Sequence, residues 1–128
     1  MSNQLYPKAK EGFLGSLVDM DTDDIRAVLC RDAFNASHEF LSSLSDIVAT
    51  SPQLTSPTIL NGVFDSADAV YPSVGAAAST AFLVLYQHTG TPSSSRLIAH
   101  IDTATGLPVT PDGTNINVSV NAAGWFTL

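Results

Sequence analysis

The sequence predicts a mainly β protein with a minor helical component, an antiparallel β-sandwich or barrel with one or two short helices in its N-terminal part. Three observations lead to this prediction. Short β-prone runs recur about every ten residues from Ile47 to the last residue. The connectors between them are rich in the Pro, Gly, Asp and Ser that tight turns require. Before Ile47, apolar residues stand at helical spacing in two short segments.

The first element is a short amphipathic helix in the segment from Tyr6 to Leu17. Pro7 falls in the first helical turn, where its missing N–H is tolerated. Phe13, Leu14 and Leu17 stand at helical spacing, so they are expected to form the apolar face of this helix.

A strand and a second short helix are predicted next. The acidic segment from Asp19 to Asp24 is typical of a polar turn, and the alternating residues 25–31 after it predict a strand. Residues 35–46 predict the helix, because Phe40 and Leu44 stand at helical spacing.

Seven β-prone runs occupy the remainder of the chain. They are IVAT, TILNGVF, ADAVYPSV, AFLVLYQH, RLIAHID, INVSV and WFTL. Residues 81–86 are continuously apolar, which predicts a central strand covered on both faces. Ile116, Val118 and Val120 alternate with polar residues, which predicts a half-exposed strand.

The run RLIAHID is expected to have two unlike faces. One face holds Leu97, Ala99 and Ile101, and the other holds Arg96, Ile98, His100 and Asp102. We therefore expect this strand to show a polar stripe to a partner or to water.

Composition favours one domain that faces other proteins. A chain of 128 residues is of the usual size for a single domain, so residues 1–128 are expected to share one core. Only 13% of the residues are charged, whereas about 25% is usual. A surface built mainly from neutral polar residues is expected to lie against other protein.

Charge argues against two classes of partner. The net charge of −7 would repel nucleic acid, and the five basic residues form no cluster that would bind an anionic membrane. No window approaches the ~20 apolar residues of a membrane span, and the N-terminus does not resemble a secretory signal. We expect the protein to be made and folded inside a cell, with its lone Cys30 as a buried thiol.

The acidic segment 19–24 is the first candidate for chemistry. Its closely spaced carboxylates resemble the start of a helix-loop-helix calcium site. Such a loop needs Gly at its sixth position and Glu at its twelfth, and Asp24 and Cys30 stand there. A solvated turn is therefore favoured over a metal site.

No motif supports an enzyme. His100 and Asp102 fall on one strand face and Ser94 or Ser95 lies nearby in sequence, but the GxSxG of a hydrolase is missing. Asp65 and Asp68 in DSAD fit a hairpin turn better than the acid pair of a glycosidase. His38 and His88 have no partner at metal-ligand spacing.

Cofactor binding has no support either, since the sequence contains no phosphate loop, dinucleotide fingerprint or cysteine cluster. Trp125 and Phe126 are expected to anchor the last strand in the core. The sequence therefore predicts no catalytic, cofactor or metal residues.

The chain resembles a family of small virion proteins encoded by tailed bacteriophages. The resemblance spans nearly the whole length and rests on LYPKAKEGFL, GVFDSADAVYPSV and LYQHTGTPSSSRLIAHIDTATGLPVTP. It implies a short N-terminal helix, a strand of the IRAVLC kind and a turn-rich β-domain, with no catalytic motif.

The resemblance implies a capsid decoration, or cement, protein that stabilises the head shell. Its partners would be the major capsid protein and copies of itself, with a trimer favoured, and residues 1–17 are a possible contact arm. The virion would be its location, after synthesis in the host cytoplasm.

Two alternatives stay open. The same composition would serve a tail, connector or fibre-adaptor subunit equally well. A host-surface carbohydrate-binding domain would need an aromatic cluster, and the chain has only scattered Tyr6, Tyr71, Tyr86 and Trp125.

Overall fold

The computed structural model describes residues 4–102, 104–120 and 124–127. Within them, the fold is mainly β, as predicted, with one α-helix near the N-terminus. The helix α1 is Pro7–Leu14, and the strands are β1 (Gln4–Leu5), β2 (Ile25–Cys30), β3 (Ile47–Thr50), β4 (Thr58–Leu60), β5 (Val63–Asp65), β6 (Ala69–Tyr71), β7 (Phe82–Gln87), β8 (Leu97–Ile101), β9 (Ile116–Val118) and β10 (Phe126–Thr127).

Five strands form the main sheet in the order β1-β8-β7-β2-β3, with every neighbouring pair antiparallel. The strand β7 lies in the middle, and its residues Leu83 to Tyr86 are buried. This confirms the central strand predicted from the continuous apolar run at 81–86. The serine-rich connector HTGTPSSS joins β7 to its neighbour β8.

Two small antiparallel sheets complete the β-structure. One has the order β10-β5-β4, and the other pairs β6 with β9. The run TILNGVF is a hairpin rather than one strand, because Asn61 and Gly62 take φ angles of 53° and 79° and reverse the chain. None of the sheets within the described residues closes into a barrel, so the sandwich alternative is the one that holds.

The main core fills the space between the five-stranded sheet and the two small sheets. It holds Val18, Met20, Ile25, Ala27, Leu29, Leu54, Phe64, Ala69, Tyr71, Val74, Leu83, Leu85, Ile98, Ala99, Ile101, Ala104, Ile116, Val118 and Trp125. Trp125 is 1% exposed and its indole N–H donates to Ser66 Oγ at 2.7 Å, which confirms the predicted anchor of the last strand.

A second core covers the other face of the five-stranded sheet. It holds Tyr6, Ala9, Val28, Cys30, Leu44, Val84, Tyr86 and Leu97. The helix α1 and the segment between β2 and β3 supply this cover. The central strands are therefore buried on both faces, and Cys30 is buried as predicted.

The second helix predicted at 35–46 is wrong. Only a single 3₁₀ turn, Leu41–Ser43, forms there. Phe40 is extended and bridges Arg96, and the N–H of Leu41 donates to the carbonyl of Ser95. Because this segment pairs with the start of β8, its backbone hydrogen bonds go to the sheet and not to a helix.

The apolar face predicted for the first helix is correct for Phe13, which packs against both cores, and wrong for Leu14 and Leu17. Ala9 and Gly12 are the buried residues of α1, and Phe13 is half-buried. Leu14 is 89% exposed and Leu17, beyond the end of the helix, is 54% exposed. The small residues face inward because α1 lies closely against β8.

The polar stripe predicted on RLIAHID is wrong at its centre, because every residue from Leu97 to Ile101 is buried and only the end residues Arg96 and Asp102 are partly exposed. His100 is 3% exposed. Its ring lies 6.5 Å from Tyr6, 6.0 Å from Phe34 and 4.6 Å from Phe82 between centroids. The N-terminal segment and the β2–β3 connection thus cover the face that alternation alone would leave open.

Candidate functional site

The acidic segment 19–24 is a turn that satisfies its own backbone. Asp19 Oδ1 accepts hydrogen bonds from the N–H groups of Asp21 and Thr22, and Asp23 Oδ2 accepts from the N–H of Asp19. The hydrogen bond from Asp21 holds the pKa of Asp19 below its usual value. Among the described residues, no three His, Cys, Asp or Glu side chains converge as metal ligands would.

The structure does not bring Ser95 into contact with His100, so no catalytic triad with Asp102 forms. His100 Nε2 donates to the backbone carbonyl of Asp32 at 3.0 Å. Ser95 lies five residues before it, roughly 16 Å away along the strand direction. Ser95 Oγ donates instead to the carbonyl of Thr91, which closes the β7–β8 turn.

Asp65 and Asp68 shape a connection between two sheets. Asp65 ends β5 and accepts a hydrogen bond from the N–H of Ser66, and Asp68 accepts one from the N–H of Val120. The predicted hairpin at DSAD is therefore wrong in detail, because β5 and β6 pair with different strands. The turn forms, but it joins two sheets.

A buried aromatic cluster anchors the N-terminal segment. Tyr6 is fully buried, its ring lies 5.0 Å from Phe34 and 6.5 Å from His38, and its N–H donates to the carbonyl of Ile98. Its hydroxyl has no hydrogen-bond partner among the described residues. Burial raises the pKa of Tyr6, and it raises that of the neighbouring Cys30 to about 12. Both groups therefore stay protonated at neutral pH.

The strongest candidate for a binding surface is an apolar groove beside the β4–β5 hairpin. We call it the hairpin groove. It has a volume of about 360 Å³ and is lined by Phe13, Ser16, Val18, Asp19, Met20, Ile59, Gly62, Phe64 and Phe126. Phe126 stacks between Phe64 and Phe13, at centroid distances of 5.7 and 6.4 Å. The floor of the groove is therefore aromatic.

Exposed apolar side chains lie in the lining of the hairpin groove or next in sequence to it. Ile59 and Leu60 on β4 are 53% and 71% exposed. Leu14 and Leu17, next to the lining residues Phe13 and Ser16, are also exposed. These four are most of the large apolar side chains that are exposed in the described part of the chain. Such a concentration is typical of a surface that binds protein.

Ion pairs lie elsewhere on the described surface. Arg26, Arg31 and Arg96 bind Asp24, Asp46 and Glu39, at 3.0, 2.6 and 3.3 Å. Lys8 pairs with Glu11 along α1. Four of the five basic side chains are thus held by carboxylates of the same chain.

Sequence reasoning did not find the hairpin groove. The Asn61-Gly62 pair inside TILNGVF was a usable signal, because Asn-Gly between apolar runs is typical of a two-residue hairpin. The approach of Phe13 to Phe126 across the whole chain length has no local signal.

Comparison with models of known protein families and with curated proteins found no match to this chain. The resemblance to phage virion proteins therefore stays a prediction. None of the helices in the described ranges is long and apolar enough to cross a membrane.

Proposed function

We propose that this protein is a non-enzymatic structural subunit of a tailed-bacteriophage virion, and that it decorates and cements the capsid. The observation that carries the proposal is the hairpin groove, with exposed Ile59 in its lining and exposed Leu14, Leu17 and Leu60 next in sequence to lining residues. Such a surface is suited to holding other proteins. The resemblance of the sequence supplies the kind of particle.

Multivalency is the physical basis of cementing. Small contacts that are linked by symmetry give strong retention without a single large interface. A scarcity of charge supports this role, because burying charged side chains between capsid subunits would cost desolvation energy.

The contact arm proposed at residues 1–17 acts through the outer side of α1. Tyr6 and Ala9 are fully buried, so this segment is part of the fold and not a free arm. Lys10, Glu11 and Leu14 are exposed on it. Lys10 is the cation best placed to meet an acidic capsid protein. Residues 1–3 lie outside the described residues.

The runner-up is a tail, connector or fibre-adaptor subunit of the same virion, which the hairpin groove would serve equally well. Copy number separates the two. Decoration of a shell requires on the order of hundreds of copies per particle, whereas a ring in the tail requires about a dozen or fewer.

Quantitative mass spectrometry of purified particles, with the major capsid protein as the internal standard, tests the proposal. A molar ratio near one supports a cement protein. A ratio of roughly a few per cent would favour the runner-up, since that is the stoichiometry of a single ring. Absence from purified particles would overturn the virion role.

A further inference from the structure

The strand β4 is an unprotected sheet edge. It is the outer strand of the three-stranded sheet, and all three of its residues, Thr58 to Leu60, are exposed. Natural proteins usually blunt such edges with charged side chains or a bulge. β4 has neither, since it is uncharged and its register with β5 is regular.

The backbone of Ile59 points away from the sheet. Leu60 and Val63 flank the two-residue turn, so they exchange their hydrogen bonds with each other, and Thr58 and Asp65 do the same at the next hydrogen-bonded pair. Ile59 lies between these pairs, and its N–H and C=O are therefore directed outward. Outside the ladder, the backbone hydrogen bonds of the described residues include none to Ile59.

The side chain of Ile59 continues the aromatic floor of the hairpin groove. Ile59 is directly opposite Phe64, and Phe64 is directly opposite Phe126. These three side chains lie in one row on the same face of the sheet. The row ends abruptly at the open edge, where Ile59 is 53% exposed.

The electrostatics of this edge select a second copy of the same chain. Two copies of net charge −7 repel each other wherever carboxylates meet. From Ile47 to Phe64 the sequence has no ionisable side chain, so the paired strands themselves bring no like charges together. Asp19, which lines the neighbouring hairpin groove, is the carboxylate whose repulsion the pairing must overcome. The nearest carboxylate in the hairpin, Asp65, would lie roughly 14 Å from its own copy across four adjacent strands, beyond the screening length of about 8 Å at physiological salt.

We propose that β4 pairs antiparallel with β4 of a second copy around a twofold axis at Ile59. Ile59 would then exchange two backbone hydrogen bonds with its counterpart, and Thr58 would lie opposite Leu60 of the other copy. The two three-stranded sheets join into one of six strands, and the aromatic rows become continuous. This dimer does not depend on the virion role, and it replaces the trimer that the resemblance implies.

Sedimentation velocity of the full chain over a concentration series tests the pairing. The expected result is a reversible monomer–dimer equilibrium that strengthens when salt rises from about 0.05 to about 0.5 M, because salt screens the repulsion between acidic copies. A protein that stays monomeric up to its solubility limit, or one that forms trimers, would overturn the proposal.

Three variants at Ile59 and one control at Val70 locate the contact. Ile59→Lys should raise the dimer dissociation constant by about tenfold or more, whereas Val70→Lys, at a similarly exposed apolar position on β6, should leave it unchanged. Ile59→Pro removes the outward N–H without breaking a hydrogen bond of the β4–β5 ladder and should also abolish pairing. Ile59→Ala truncates the side chain but keeps that N–H, so it should weaken pairing less. Circular dichroism verifies that each variant is folded.

Two further outcomes would reject the pairing of β4 with a second copy. Equal effects of Ile59→Lys and Val70→Lys would show that the loss reflects added charge and would reject β4 as the contact. A monomer whose β4 instead binds the purified major capsid protein would reject the self-pairing while leaving the virion role intact. Particle copy number, measured separately, tests that role alone.

Discussion

His100 is the residue whose environment differs most from what its position in the sequence indicates. It lies on the β8 face that the alternation of RLIAHID would leave open, yet it is 3% exposed and packs against Tyr6, Phe34 and Phe82. Burial lowers the pKa of His100 below 6.5. The carboxylates of Asp32 and Asp102 act in the opposite direction, and His38 adds to the lowering. The neutral imidazole is therefore the form that the fold holds.

This burial predicts a loss of stability in mild acid. Below about pH 6.5 the unfolded chain binds a proton at His100 before the folded chain does, so the free energy of unfolding falls as the pH drops through that value. It stops falling once the pH is below the pKa of the folded state. Urea unfolding of the protein at about pH 7.5 and about pH 5.5 measures the difference.

His100→Gln is the matched control for the pH effect. The amide N–H of Gln can donate to the Asp32 carbonyl as Nε2 does, but it does not titrate. The variant should be less stable at both pH values and should lose less stability between them. Since His38 and His88 remain in both proteins, an equal loss in the two would contradict the assignment to His100.

At the residue scale, composition and neighbours predicted Cys30 and Trp125 correctly and His100 wrongly. An apolar run around a free thiol and a Trp in the last strand both indicate burial without reference to the rest of the fold. Whether the second face of β8 is covered depends on Tyr6 and Phe34, which are far away in sequence. The sequence of RLIAHID alone therefore cannot show that Tyr6 and Phe34 cover this face.

At the scale of elements, Gly124 determines how the last strand attaches. Its φ is +87°, and a Cβ there would lie 2.5 Å from Val63 Cγ1 and 2.9 Å from the carbonyl oxygen of Phe64. That carbonyl accepts the N–H of the next residue, Trp125, at 2.8 Å. Only a glycine allows this close approach of the chain to β5.

Gly124→Ala should therefore destabilise the protein severely. The left-handed backbone costs about 1–2 kcal/mol for a residue with a side chain, and the overlap with β5 adds about 1–3 kcal/mol. Thermal or urea unfolding measures the sum. Gly90→Ala separates the two costs, because Gly90 has a similar φ of +91° and no atom within 4 Å of its added Cβ. Equal losses in both variants would show that contact with β5 plays no part.

Helices and strands could be predicted from the sequence where a strong local pattern met no competing tertiary contact. The strands β2, β7, β8 and β9 follow from β-prone runs, and Pro7 marks the start of α1. The helix expected at 35–46 failed because a tertiary contact, the pairing of Phe40 and Leu41 with the start of β8, outweighs a weak helical periodicity. The groove itself joins α1 to β10, so no segment of the sequence contains its pattern.

At the scale of the whole molecule, the five-stranded sheet is the shared wall of both cores. The strand β2 contributes Ala27 and Leu29 to the main core and Val28 and Cys30 to the second. Packing lost on either face is therefore transmitted to the other through the same backbone. The sequence predicts one domain over residues 1–128, and this shared wall gives that prediction a physical test.

A single cooperative unfolding transition is the expected outcome. Trp125 is the only tryptophan, and it lies in the main core, whereas far-ultraviolet circular dichroism reports on every sheet. If both cores melt together, the fluorescence and dichroism curves in urea coincide, with a slope of about 1–3 kcal/mol per molar. Leu97→Ala, which truncates the second core only, should then shift both curves equally. A dichroism change that precedes the fluorescence change would mean that the second core opens by itself, and that α1 and the segment before β3 form a separate, weaker unit.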